Sequence, residues 1–223
     1  MKLIEYPDME LLARRLAGTL AGELTAALEH RERVLFVVPG GTTPGPVFDT
    51  LCESGLDWSR VDVLLSDERW LPEDHPRSNT RLVRARLLRG RAAKARLLPL
   101  HTRAESPKEA LAELEAKIAP ALPIDVCLLG MGEDMHVASL FPGADNLRAA
   151  LDAGAPILMA MRAAGMPEPR VSLSARVLAG ARALDLVITG APKRAALERA
   201  RALAPFEAPV AAVLDAATVH WAP

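Results

Sequence analysis

Short apolar runs rich in β-branched residues alternate along this chain with longer stretches in which apolar residues recur at helical spacing. Asp8 stands as an N-cap before a helix running to about His30, with Leu11, Leu12, Leu16, Leu20, Leu24 and Leu28 along one face. Val34–Val38 (VLFVV), Val61–Leu65 (VDVLL), Ile124–Leu129 (IDVCLL) and Leu184–Thr189 (LDLVIT) read as buried strands. Between them fall an amphipathic stretch through about Leu51, a basic helix from about Asn79 to Leu88, and a helix over Pro107–Ile118. A helix to about Leu203 follows the last of these strands. Pro156–Met161 and Arg170–Ser174 also have strand character, and Pro209–Leu214 is expected to be the final strand. The alternation predicts an α/β fold of parallel βαβ units, with helices on both faces of the sheet. No repeat, low-complexity tract or linker interrupts it, so one domain over residues 1–223 is expected.

In a parallel sheet the carboxyl ends of all strands share one edge. Four of the expected strands deliver polar or glycine-rich loops there: GGTTPG after Val38, SDERW after Leu65, GMGEDMH after Leu129, and TGAPK after Ile188. Ligands of open α/β sheets bind at that edge. Gly40, Gly41, Thr42 and Thr43 offer amides and hydroxyls at a helix start, which suits an anion. Arg69 and Lys193 supply positive charge for a phosphate or carboxylate. His136, with Asp134 beside it, supplies proton transfer, since an unperturbed imidazole titrates near about 6.5.

Each feature has a plainer alternative. The glycines could form only a turn, and His136 could cap the following helix. Asp67-Glu68-Arg69 could be a solvated charge run, and Arg170, before an alternating VSLS segment, could be a surface residue. Lys193 at a helix start opposes the helix dipole, which favours a ligand role over a structural one. His30, His75, His101 and His220 lack metal-ligand spacing and are read as structural or exposed.

Composition narrows the function classes. The formal charge is −1 with 25% charged residues, so no nucleic-acid or anionic-membrane partner is indicated. Cys52 and Cys127 lie in or beside apolar segments without ligand spacing, which fits a reducing compartment. No apolar run approaches a membrane span and no secretory leader opens the chain, so a cytoplasmic location is expected. Two nucleotide motifs fail on inspection. Gly40–Gly45 has P-loop spacing, yet Pro46 and Val47 occupy the Lys and Ser/Thr positions. Gly130-Met131-Gly132 opens like a dinucleotide fingerprint, but Met135 replaces its third glycine.

Taken together, PGGTTP, SDERWLPEDHPRSN, LLGMGEDMHVASLFPG, PRVSLS and TGAPKRAALERA, in this order and over most of the chain, resemble the 6-phosphogluconolactonase family. That family shares a superfamily with glucosamine-6-phosphate deaminase and ribose-5-phosphate isomerase. In the deaminase branch FNEP follows the histidine, where this chain has ASLFPG. The resemblance implies a Rossmann-like three-layer sandwich with a mainly parallel sheet, and hydrolysis of 6-phospho-D-glucono-1,5-lactone to 6-phosphogluconate without metal or organic cofactor. It implies His136 as general base, Arg69, Lys193 and Arg170 on the 6-phosphate, and Gly41, Thr42 and Asp67 on the lactone side. Gly40, Thr43 and Glu68 complete the expected substrate-binding set. Asp134 either orients the imidazole or stabilises the turn. A phosphosugar lactone is the expected partner, with the protein a monomer or weak homodimer.

The alternatives are a sugar-phosphate isomerase or deaminase, and a non-catalytic sugar-phosphate sensor. One departure stands out: Met135 and Val137 flank His136 where the family usually has glycine and threonine. If the backbone at position 135 needs φ > 0, methionine costs roughly 1 kcal/mol or more. Otherwise the turn takes another conformation and His136 is held differently.

Overall fold

A computed structural model describes residues 1–223. In chain order the elements are β1 (Lys2–Glu5), α1 (Met9–His30), β2 (Val34–Val38), α2 (Gly45–Leu51), β3 (Val61–Leu65), β4 (Asp67–Arg69), α3 (Asn79–Arg86), β5 (Arg96–Leu98) and α4 (Pro107–Ile118). They continue with β6 (Val126–Gly130), α5 (Leu147–Leu151), β7 (Leu158–Met161), β8 (Arg170–Leu173), α6 (Ala175–Ala179), β9 (Ala183–Thr189), α7 (Ala191–Ala200), α8 (Ala211–Leu214) and β10 (Thr218–Ala222). Seven strands form one sheet in the order β1-β10-β9-β6-β2-β3-β5, every pair parallel. The fold is α/β, as the alternation of strands and helices predicts.

Burial on both faces explains the unbroken apolar runs. Every residue of β2 and β3 is buried, including Asp62, whose carboxylate is held by Arg33 and Arg96. Asp125, just ahead of β6, accepts from the Leu35 amide at 2.8 Å and from Arg31 at 2.8 Å. Helix α1 starts as expected, with Asp8 Oδ1 accepting the Leu11 amide at 2.7 Å, and buries Leu12, Leu16, Leu20, Leu24 and Leu28. Apolar residues from both faces of the sheet join one contiguous buried cluster of 61 residues. No helix is long and apolar enough to cross a membrane.

Strand order reverses once. The chain moves outward from β2 through β3 to β5, then returns to lay β6 on the other side of β2. The loops leaving β2 and β6 therefore diverge, opening a crevice at their carboxyl ends.

The structure corrects several expectations. Pro209–Leu214 contains the short helix α8 rather than the last strand, which is Thr218–Ala222 and pairs with β9. A brief apolar run lacks the period to separate helix from strand, and the alanines favour helix. The segments at 156–161 and 170–174 do form strands (β7 and β8), but outside the parallel sheet. They join Asp67–Arg69, expected as loop, in a separate antiparallel sheet of order β4-β8-β7. Strands β1 and β5 escaped the periodicity because they are short edge strands with exposed residues.

Away from the crevice, α1 and the β9–β10 pair bury a polar group. His220 is fully buried, with Nε2 2.8 Å from Asp185 Oδ1 and Nδ1 2.8 Å from the Tyr6 hydroxyl. The other oxygen of Asp185 and Oε2 of Glu23 are shut from solvent without a donor. Burial first, then the charge of Asp185 and a hydrogen bond to it, push the Glu23 carboxyl up to about 8. Two carboxylates in contact share a proton rather than both ionise. The folded state thus keeps at Glu23 a proton that the unfolded chain releases near 4.5. Stability should fall as pH rises from about 4.5 and level off beyond about 8. Glu23→Gln, which supplies a permanent donor to Asp185, should flatten that limb in urea midpoints measured between roughly pH 5 and 9. An unchanged slope would refute the shared proton.

Candidate active site

The base-bearing turn begins where β6 ends. Gly130, Met131 and Gly132 carry the chain off the sheet, and the turn closes on itself by Met135 N donating to Gly132 O (3.0 Å) and Gly132 N to His136 O (3.1 Å). Closure this tight brings His136 and Asp134 over Gly132. A Cβ on Gly132 would lie 2.2 Å from His136 Nδ1 and 2.4 Å from Asp134 Oδ1, so only glycine fits. Met135 adopts φ = 67° and Ala138 φ = 50°, both left-handed. The turn therefore takes the glycine-type conformation without glycine, at a cost of roughly 1 kcal/mol at each position. Its Met135 carbonyl is tied to the Val210 amide at 3.0 Å.

Within the turn, His136 Nδ1 lies 2.5 Å from Asp134 Oδ1. Burial alone would raise the Asp134 carboxyl, but the hydrogen bond and charge of His136 outweigh it and hold the group below its ordinary value. An ionised carboxylate only accepts, so Nδ1 carries the proton and Nε2 is left as the basic nitrogen. The imidazole also packs on Phe141, with ring centroids 4.2 Å apart.

Opposite charge gathers on the second sheet. β4 and β8 pair antiparallel with Asp67 opposite Ser172 and Arg69 opposite Arg170. Alternation sends Asp67, Arg69, Arg170 and Ser172 to one face and Glu68 to the other. Arg170 is 8% exposed and Asp67 5% exposed, so these charges are largely withdrawn from water. Burial lowers the Arg170 pKa first; Asp67 opposes that shift, and Arg69 across the ladder adds to it. The Nε atoms of both arginines are buried without a partner. Two guanidiniums opposed across a ladder make this wall cationic, which suits an anion.

These parts line one cavity of about 250 Å³. Gly40, Gly41, Thr42 and Thr43 form one wall, Asp67, Arg69 and Arg170 another, and His136 and Lys193 close it. The amides of Gly40 to Thr43 donate to no acceptor within the protein, leaving four donors available to a ligand.

The cavity thus joins nine of the eleven residues singled out from the sequence. Asp134 stands behind His136 rather than in the lining. Glu68 does not reach the cavity and faces the start of α3. It is 1% exposed and accepts from the amides of Asn79 (2.8 Å), Thr80 (2.7 Å) and Arg69 (2.8 Å) and from the Ser78 hydroxyl (3.1 Å). Arg170 is buried, not a surface residue, because β8 lies between β4 and β7. The sequence reading missed Ser66 and Asn79 in the lining. Asn79 Nδ2 donates to Asp67 O at 3.0 Å, and its side chain lies against Gly40, where a Cβ would come within 2.1 Å. Its only signal was its place at the end of the polar loop, on the first turn of a helix.

Comparisons with known proteins place the chain in a family. Residues 7–221 match the family described as glucosamine-6-phosphate isomerases/6-phosphogluconolactonase. A 6-phosphogluconolactonase of Pseudomonas aeruginosa is 46% identical over 95% of this chain and 90% of its own length. One of Mesorhizobium japonicum is 42% identical over 98% of this chain and 94% of its own. The crystal structure of a 6-phosphogluconolactonase from Shewanella baltica superposes with a TM-score of 0.96 at 30% identity, covering 100% of this chain and 98% of that one.

Glu68→Ala leaves three amides without an acceptor and should destabilise the fold by roughly 2 kcal/mol or more. Denaturant titration checks this; a variant as stable as the parent would return Glu68 to the ligand-binding set.

Proposed function

The chain belongs to the glucosamine-6-phosphate isomerase/6-phosphogluconolactonase family, and from that premise we propose how its cavity does the work. It is a hydrolase that opens 6-phospho-D-glucono-1,5-lactone to 6-phospho-D-gluconate, in the oxidative branch of the pentose phosphate pathway. Relatives bearing the lactonase name over nearly the full chain do not favour the isomerase, deaminase or sensor readings. The observation that carries the mechanism is a basic imidazole nitrogen, four free amides and three cations around one cavity.

Nε2 of His136 takes a proton from water as the water oxygen adds to the lactone carbonyl carbon. Asp134 holds the ring in the required tautomer and stabilises the imidazolium that forms. The carbonyl oxygen becomes an alkoxide, and amides of the Gly40–Thr43 loop donate to it. As the tetrahedral intermediate collapses, the bond from the carbonyl carbon to the ring oxygen breaks. The imidazolium returns its proton to that oxygen, giving the free hydroxyl and the acid. Arg69, Arg170 and Lys193 hold the 6-phosphate, while Gly41, Thr42 and Asp67 line the lactone side. Residues 1–223 act as one lactone-hydrolase domain, cytoplasmic and monomeric or weakly dimeric.

Replacing the base tests the assignment. His136→Ala should lower kcat by about a hundred- to ten-thousandfold while still binding 6-phosphogluconate. The assay uses freshly generated lactone, corrected for spontaneous opening; near-parental turnover would exclude His136 as base. For the cations, Arg69→Ala and Lys193→Ala should mainly raise KM, because phosphate contacts are alike in ground and transition states. Equal hydrolysis of unphosphorylated gluconolactone by the parent enzyme would argue against a phosphate clamp.

A further inference from the structure

Ser139 lies three residues beyond the base, is completely buried, and does not line the cavity. Its hydroxyl donates to Asp67 Oδ2 at 2.6 Å and accepts from Arg170 Nη1 at 3.4 Å. Its amide donates to Ser172 Oγ at 3.2 Å, on the same strand as Arg170. The other Asp67 oxygen accepts from Ser66 Oγ at 3.0 Å, so Asp67 has a hydroxyl on each side. Arg170 and Asp67 themselves form a loose ion pair at 3.7 Å, longer than a hydrogen bond. The hydroxyl thus lies beside this loose pair and occupies the Asp67 oxygen on which Arg170 would otherwise close.

We propose that Ser139 is a positioning residue: by occupying Asp67 Oδ2 it keeps the Arg170–Asp67 pair loose, so that the guanidinium faces the cavity, and it ties that strand pair to the turn carrying His136. The inference rests on the reading of Arg170 as part of the phosphate clamp. A carboxylate and guanidinium this buried attract strongly, and direct pairing would satisfy Asp67 at the expense of the cavity. A hydroxyl serves both groups at once because it donates to one and accepts from the other. Without it, Arg170 relaxes toward Asp67 and its remaining donors turn from the ligand. Phe141 does not replace this restraint. Its ring lies 5.1 Å from the Arg170 guanidinium carbon but offers no directional bond.

The test compares Ser139→Ala, Arg170→Ala and the double variant in the lactone assay. Ser139→Ala should raise KM for 6-phosphogluconolactone about tenfold with kcat changed much less. In the Arg170→Ala background the same change should add almost nothing to KM, since the group it positions is gone. A purely structural serine would lower the yield of active enzyme, and hence apparent kcat, with KM unmoved. That result, or additive effects on KM in the double variant, would overturn the proposal while leaving the clamp intact. If Arg170→Ala itself left KM unchanged, the clamp reading would fall and this inference with it. Should Ser139→Ala not fold, Ser139→Cys, of similar size with a weaker donor, is measured against the same criteria.

Discussion

The site depends on two arginines placed opposite each other on adjacent antiparallel strands. Like charges so placed repel, and the repulsion is stronger when burial withdraws water from one of them. Arg69 and Arg170 are nonetheless held there by a backbone ladder that fixes their register whatever the side chains prefer. Asp67 offsets part of the repulsion, and an incoming phosphate offsets more. The unfavourable pairing is thus a form of preorganisation, because the donors need not be assembled when substrate arrives.

The same trade appears in the turn that carries the base. Met135 and Ala138 both sit in left-handed backbone on either side of His136. Each would be more comfortable as glycine, yet the hydrogen-bonded closure from Gly132 to His136 and the tie to Val210 keep the conformation. Strain of this kind persists only where surrounding contacts over-determine the backbone. Here it keeps the imidazole between Asp134 and Phe141, with one nitrogen occupied and the other basic. Met135 thus takes a left-handed conformation that glycine would adopt at lower cost.

Both devices hang from the edge of a parallel sheet. β2 and β6 lie side by side where the strand order reverses, so their loops part and leave room between them. The glycine-rich wall and the base turn are therefore neighbours in space although about ninety residues separate them in sequence. The smaller antiparallel sheet brings in the cationic wall, and α7 presents Lys193 from its first turn.

Much of this was legible in the sequence because its signals are local. Parallel strands buried on both faces are mostly apolar, as VLFVV is throughout and VDVLL and LDLVIT are but for Asp62, Asp185 and Thr189. The loops at their carboxyl ends are polar, and they carry eight of the nine predicted residues that meet in the cavity; the ninth, Arg170, comes from β8. Other features depended on partners that no local window contains. Only pairing with β8 makes Asp67–Arg69 a strand, and only that strand's alternation turns Glu68 away from the cavity toward α3. For Arg170 the residues alone suggested a surface position and the family resemblance a phosphate ligand; only enclosure of its strand by β4 and β7 buries it. Ser139 and Asn79 acquired roles solely through contacts with Asp67 and Gly40, distant in the chain. The sequence by itself determined which chemical groups are present and which strand ends carry them, since burial and turn chemistry constrain residue type locally. Tertiary structure alone decided which of those groups face one another, because pairing register and strand order are set by contacts between segments far apart.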